Sequence, residues 1–153
     1  MSRKIEQIKD ILHGSHGWNS GLEEYDFILS IEFRQDGTGE MVYGECQAVK
    51  SIIHFRYDIS ADMQIHFEFF DTVDPYWTPF WGGKKMFERT EENALKMVAF
   101  HLLDGPFFID KPFDSQQSIY SYLLRFASDP FPDSSGPWPL KETWLDYYGG
   151  ERK

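Results

Sequence analysis

Between Tyr25 and Asp71 the chain alternates apolar and polar residues through YDFILSIEFR, EMVYGEC, SIIHFRYDIS and MQIHFEFFD, with QDGTG after the first run and AD before the last. A period of two sends successive side chains to opposite faces of a pleated strand, so each run carries one apolar face and one polar face. Consecutive runs of this kind joined by short turns are antiparallel strands. A helix cannot use this pattern, because its apolar stripe repeats every three or four residues.

The faces can be named. In the first run, about residues 25 to 34, Phe27, Leu29, Ile31 and Phe33 share one side, with Ser30, Glu32 and Arg34 on the other; the second run, about 39 to 46, presents Met41 and Tyr43. Matching the apolar faces requires a loop of odd length around Asp36, Gly37 and Thr38. The register expected from it sets Phe33 opposite Met41, Ile31 opposite Tyr43, Arg34 against Glu40 and Leu29 against Glu45. Glu45 breaks the pattern. Turned toward the apolar face, its carboxylate would orient a polar ligand group or act as a general acid or base; if the strand ends or bulges by Gly44, it stands at a solvated rim. In the next hairpin a three-residue loop, Ala61-Asp62-Met63, aligns Ile53, Phe55, Tyr57 and Ile59 with Ile65, Phe67 and Phe69. The same register pairs Arg56 with Glu68 and Asp58 with His66 on the polar face, opposite-charge neighbours that support it.

The rest of the chain completes the sheet. Ile5, Ile8, Ile11 and Leu12 fall at helical spacing over residues 3 to 12, with Ser2 available as a cap. A glycine-rich loop over 13 to 21 follows, whose Trp18 is expected to close one end of the sheet. Residues 72 to 83 read as a long aromatic loop, and Tyr76, Trp77, Phe80 and Trp81 in it make a lid, a partner-binding patch or a cap on the sheet. A short strand is expected near Lys84 to Arg89. Residues 90 to 104 fit a helix from Thr90 to Gly105, but the alternation of Val98, Phe100 and Leu102 favours a strand. A two-residue turn at Asp104-Gly105 would then set Leu102 against Phe107 and Phe100 against Ile109, with Phe107 to Ile109 as a further strand. The last strand, about 118 to 127, carries Tyr120, Tyr122, Leu124 and Phe126, and the tail holding Trp144, Tyr147 and Tyr148 is expected to dock.

The count is eight. Together with an aromatic content of 18%, it predicts an all-β chain: an eight-stranded antiparallel up-and-down barrel with a short N-terminal helix, residues 1 to 153 forming a single domain. At this level the chain resembles the lipocalin-like (calycin) barrels. Gly17-Trp18 precedes the first strand, without the residue that separates the two in the lipocalin signature, and Arg125 lies late in the last strand, where the family packs an arginine over that tryptophan. The resemblance implies a cavity for a small apolar or amphipathic molecule.

Composition narrows the partners. A formal charge of -10 disfavours nucleic acid phosphates, and no apolar run of about 18 residues is present to span a membrane. The single Cys46 excludes an intrachain disulfide. A soluble cytoplasmic protein is the expectation. No Gly-X-Ser-X-Gly elbow occurs, Gly82-Gly83-Lys84-Lys85 lacks the first glycine and the hydroxyl of a phosphate loop, and His13 with His16 reads as a solvated loop pair. No catalytic residue, metal or cofactor is assigned. The expected function is non-enzymatic binding of a small hydrophobic or amphipathic ligand inside the barrel, through Tyr43, Glu45, Tyr57, Phe67 and Tyr122. The alternatives are a protein-interaction module docking through the 76 to 81 loop, a homodimer among its forms, and an enzyme built on Glu45.

Overall fold

A computed structural model describes residues 4–15, 17–20, 27–45, 48–73, 91, 93–111, 116–132 and 145–152. Helix α1 (Ile5–Gly14) precedes strands β1 (Trp18–Asn19), β2 (Phe27–Phe33), β3 (Thr38–Glu45), β4 (Ala48–Ile59), β5 (Gln64–Val73), β6 (Leu95–Lys111), β7 (Gln116–Phe126) and β8 (Asp146–Arg152). Each strand pairs antiparallel with the next, and β8 returns to β1 through Tyr148 and Asn19, so the sheet closes into a barrel. Closure gives every strand a partner on both sides over part of its length.

The expected architecture is present, but its eight strands are not the eight counted from the sequence. Trp18 and Asn19 form β1 rather than loop, and the docked tail is itself β8. The two runs on either side of Asp104-Gly105 are one strand. No hairpin forms there, because β7 is long enough to pair with both halves: Phe100 faces Phe126, Leu102 faces Leu124 and Phe107 faces Tyr120. The register shifts between Asp104 and Phe107, so Gly105 and Pro106 sit in a bulge where proline's missing N–H costs no ladder bond. The run near Lys84 to Arg89 lies outside the described residues.

The β4–β5 hairpin has the expected register throughout: Phe55 with Phe69, Arg56 with Glu68, Tyr57 with Phe67, Asp58 with His66 and Ile59 with Ile65. Arg56 Nη1 lies 3.1 Å from Glu68 Oε1, and Met63 closes the turn in the left-handed region at φ 61°. In β2–β3 the parity is right and the step is wrong by two residues. Ile31 faces Met41, Leu29 faces Tyr43, Phe33 faces Gly39, and Phe27 rather than Leu29 faces Glu45. The turn is tighter than the faces alone require, since Gly37 takes φ 86° and Asp36 Oδ1 accepts the Thr38 N–H at 3.0 Å. Gly39 must lack a side chain here, because a Cβ would come within 2.5 Å of the Phe55 ring. Arg34 still reaches Glu40, at 3.4 Å.

Helix α1 begins two residues later than its apolar spacing suggested. Ser2 lies outside the described residues, and Lys4 stands at the cap, its N–H donating to Gln7 Oε1 at 3.1 Å. Ile8 and Leu12 enter the core, and Lys9 pairs with Asp58 at 3.3 Å. The helix thus lies over the barrel end that carries the β2–β3 and β4–β5 turns. Trp18 is buried beneath it, with Nε1 donating to the Leu12 carbonyl at 3.2 Å. Arg125 does not pack over Trp18. It stands on the outer face of β7, exposed, with Nε and Nη2 on the two Asp146 carboxylate oxygens at 2.8 and 3.1 Å.

Candidate ligand-binding site

The alternation that builds the wall also decides what fills it. Under α1, Phe33, Phe55, Phe67 and Phe69 are buried and meet ring to ring: Phe55 lies edge-on to Phe67 at 5.0 Å, and Phe67 stacks on Phe69 at 5.8 Å. Ile31, Met41 and Ile53 fill the space beside them. Tyr57 reaches the same cluster, 5.0 Å from Phe33. Its hydroxyl donates to the Arg34 carbonyl at 3.1 Å and lies 2.5 Å from His13 Nε2. The Tyr57 hydroxyl thus stands between a carbonyl that only accepts and a ring nitrogen whose role, donor or acceptor, follows the His13 tautomer. His13 is therefore half-buried at the end of α1 and bonded, not a solvated loop residue. Burial, with Asp36 and Asp58 adding to it, pushes the Tyr57 pKa up to about 12.

The opposite end of the interior differs. The strand pairs Leu29 with Tyr43 and Tyr43 with Ser51 run directly across β2, β3 and β4. Ser20 continues this row beyond β1, its N–H donating to the Leu29 carbonyl at 3.0 Å. One step along the ladder that joins Asn19 to Tyr148 brings the row to Tyr147 on β8. Ser20, Ser51 and Tyr147 are all buried, and Tyr43 is partly so. The row therefore carries four hydroxyls around the inner wall. Two of them, Ser51 Oγ and Tyr147 Oη, have no hydrogen-bond partner among the described residues.

A buried hydroxyl without a partner forfeits about 1–3 kcal/mol. Burial and the nearby Asp129 carboxylate raise the Tyr147 pKa well above the phenol range, so this hydroxyl keeps its proton and can donate it. Ser51 stands beside a bulge: Tyr43 faces Ser51 and Gly44 faces Val49, leaving Lys50 unpaired between them. Both residues lie within a few positions of the ends of their strands, on the side away from α1.

The chain matches no protein-family model, no curated protein and no solved structure.

The residues expected from sequence to bind a ligand fall into separate places. Tyr57 and Phe67 face each other in the packed half, and Tyr43 belongs to the hydroxyl row. Tyr122 is on β7, opposite Asp104 and Gly149, and packs partly buried against the core. Tyr120, expected to share that inward face, is buried instead beside Tyr148, with ring centroids 5.7 Å apart. The β3 ladder continues through Glu45, so the strand has not ended at Gly44, though its pairing with β4 does shift register between Tyr43 and Gly44; the Glu45 side chain lies outside the described residues. So do Tyr76, Trp77, Phe80 and Trp81. Sequence reasoning missed Ser51, Tyr147 and Ser20. Ser51 holds the inward parity of Ile53 and Phe55, which was the available signal; Tyr147 offered none beyond its place in an aromatic tail.

Proposed function

We propose that the protein binds a small amphipathic molecule inside a lipocalin-like barrel, with the apolar part against the aromatic cluster and the polar part at the hydroxyl row of Tyr43, Ser51 and Tyr147. The observation that carries this reading is the pair of buried hydroxyls without partners, Ser51 Oγ and Tyr147 Oη. A fold keeps such groups at a cost when they serve something other than stability, and a ligand that hydrogen-bonds them offsets that cost on binding. Localisation in the cytoplasm belongs to the same reading, supported by a single cysteine that can form no intrachain disulfide.

Native mass spectrometry of protein purified from cells tests it. The wild type is expected to retain a small molecule, and a Ser51→Ala/Tyr147→Phe double variant to retain much less. Equal retention by the two proteins, or no uptake of any offered amphiphile by the wild type, sinks the reading.

A second reading, self-association into a homodimer, is favoured by a different observation. The exposed large apolar side chains among the described residues, Leu95, Met97, Leu103 and Phe108, all belong to β6, with Leu95 68% and Met97 60% exposed. Light scattering on Met97→Glu and on a Trp77→Ala/Trp81→Ala variant separates β6 from the aromatic loop as the contact; a monomeric wild type removes both.

A further inference from the structure

Strand β6 turns an unbroken row of exposed residues to the outside of the barrel. Leu95, Met97, Ala99, His101 and Leu103 are all exposed, while Val98 and Phe100 between them are buried. Lys96 shares the inward parity, opposite Phe67, and its ammonium donates to the carbonyl of buried Phe131 at 2.6 Å. The outer row is therefore apolar at both ends, small in the middle, and carries one ring, that of His101. Leu95, Met97 and Leu103 are three of the four large apolar side chains exposed among the described residues; the fourth, Phe108, lies beyond the bulge at Gly105 and Pro106. Single exposed apolar residues are ordinary, but three in one row mark an interaction surface.

The charges beside the row decide what can meet it. Directly across from Leu95, Met97 and Ala99 on β5 stand Glu68, His66 and Gln64, and across from His101 on β7 stands Arg125. Glu68 is held by Arg56 at 3.1 Å, and Arg125 by Asp146 at 2.8 Å. His66 faces Asp58, whose carboxylate meets Lys9 at 3.3 Å. Each of these charges thus has its counter-charge on the same wall. The chain as a whole carries a formal charge of -10, so two copies repel one another in most orientations, and a locally balanced apolar row is where they can approach. A basic partner would be drawn to the acidic remainder of the surface instead, and an acidic one would need a cation, whereas both arginines here are already paired. Symmetry points the same way. In a twofold contact one patch must complement itself, and this row does so when reversed about Ala99: Leu95 meets Leu103 of the second copy, Met97 lays its sulfur against the His101 ring of that copy, and the two small alanines lie where the walls come closest.

We propose that two copies of this chain dimerise face to face through the outer row of β6, with the two rows antiparallel and centred on Ala99. This rests on the reading of the chain as a homodimer and specifies which residues meet and in what register. A contact carried by one row is small, so the dimer is weak, with a Kd on the order of micromolar, and copies exchange between dimers.

Sedimentation equilibrium on the full chain, from micromolar to millimolar concentration, compares the wild type, Met97→Lys, His101→Glu, an equimolar mixture of these two variants, and the double variant. The wild type is expected to dimerise. Each single substitution sets a charge against a neutral group of the other copy and weakens the dimer at least about tenfold. In the mixture the introduced lysine of one copy faces the introduced glutamate of the other, and in the double variant this happens twice, so both return to within about threefold of the wild-type Kd. Within one chain the two positions are about 13 Å apart along the strand, so the recovery cannot arise inside a copy. A monomeric wild type overturns this inference and the homodimer reading together. A wild-type dimer that neither substitution weakens overturns the inference alone and moves the contact to another surface. So does weakening by both without recovery in the mixture and the double variant, because the register about Ala99 is then wrong. Both side chains are exposed, and recovery on mixing two variants that are each monomeric has no explanation in how either one folds.

Discussion

Under α1, Phe33, Phe55, Phe67 and Phe69 occupy the interior ring against ring and the Tyr57 hydroxyl is bonded on both sides; at the far end, Ser51 and Tyr147 bury hydroxyls that have no partner among the described residues. Both halves are built from the same strands, and β4 runs through each, carrying Tyr57 near one end and Ser51 near the other. Strand pairing therefore cannot account for the contrast. What differs is the chemistry placed on inward positions. Aromatic rings beneath the helix gain contact with every neighbour, which is how a core is stabilised. Unpartnered hydroxyls at the other end give some of that stability away, the pattern expected where a surface is kept for a ligand.

The contrast can be broken most decisively at its packed end. Phe55→Ala removes the ring that touches Phe33, Phe67 and Phe69, and should cost about 3–5 kcal/mol in denaturant unfolding. A loss under about 1 kcal/mol would mean that the aromatic half is not the stabilising half.

At the other end the sign reverses. Tyr147→Phe and Ser51→Ala each delete a hydroxyl that has no partner, so each should raise stability, by about 1–2 kcal/mol, while weakening ligand retention. Destabilisation on that scale by either substitution would show that the hydroxyl is satisfied after all, and the two ends would no longer differ in kind.

Tyr57→Phe sharpens the comparison on a smaller scale, with an expected loss of about 1 kcal/mol and no change in ligand retention. It also carries a pH signature. The folded Tyr57 holds its proton to about 12, against 10.0 for an unperturbed tyrosine. Between those values the unfolded chain has released a proton that the folded chain still binds, so stability falls as pH rises through that window. The Phe variant should lose this part of the alkaline decline, measured as Tm against pH.

The smallest effect belongs to the outer wall. Arg56→Ala breaks an exposed pair with Glu68 and a contact over the Phe70 ring at 4.7 Å, and should cost less than about 1 kcal/mol, reduced further in high salt.

How far the sequence could be read varied with the physics involved. In β4–β5, parity and charge converge on one register: only a three-residue loop aligns the apolar faces and also sets Arg56 by Glu68 and Asp58 by His66. In β2–β3 parity alone was available, and parity leaves every step of two residues open. The choice was made by Asp36 and Gly37, whose turn is tighter than hydrophobic matching demands. The turn expected at Asp104-Gly105 failed because Gly-Pro suits a bulge as well as a hairpin, and only the length of β7 decides between them. Ser51 kept the inward parity of its strand but is small and polar, so it drew no notice beside Tyr57. Lys96 was hidden in a segment that fitted both helix and strand, and the face of a residue has no meaning until that choice is made.

By itself, then, the sequence determined that this chain forms alternating antiparallel strands, that their aromatic faces turn inward and that a short amphipathic helix lies against them. Those are local consequences of a period of two, a period of 3.6 and turn residues. Only the tertiary structure decided which eight segments close the barrel, since β1 is two residues long and β8 meets it from the other end of the chain. It also decided that Ser51 and Tyr147, remote in sequence, join one inner row, and that Lys96 meets Phe131. Ring closure brings such residues together through strand order, a relation between distant segments that no local pattern encodes.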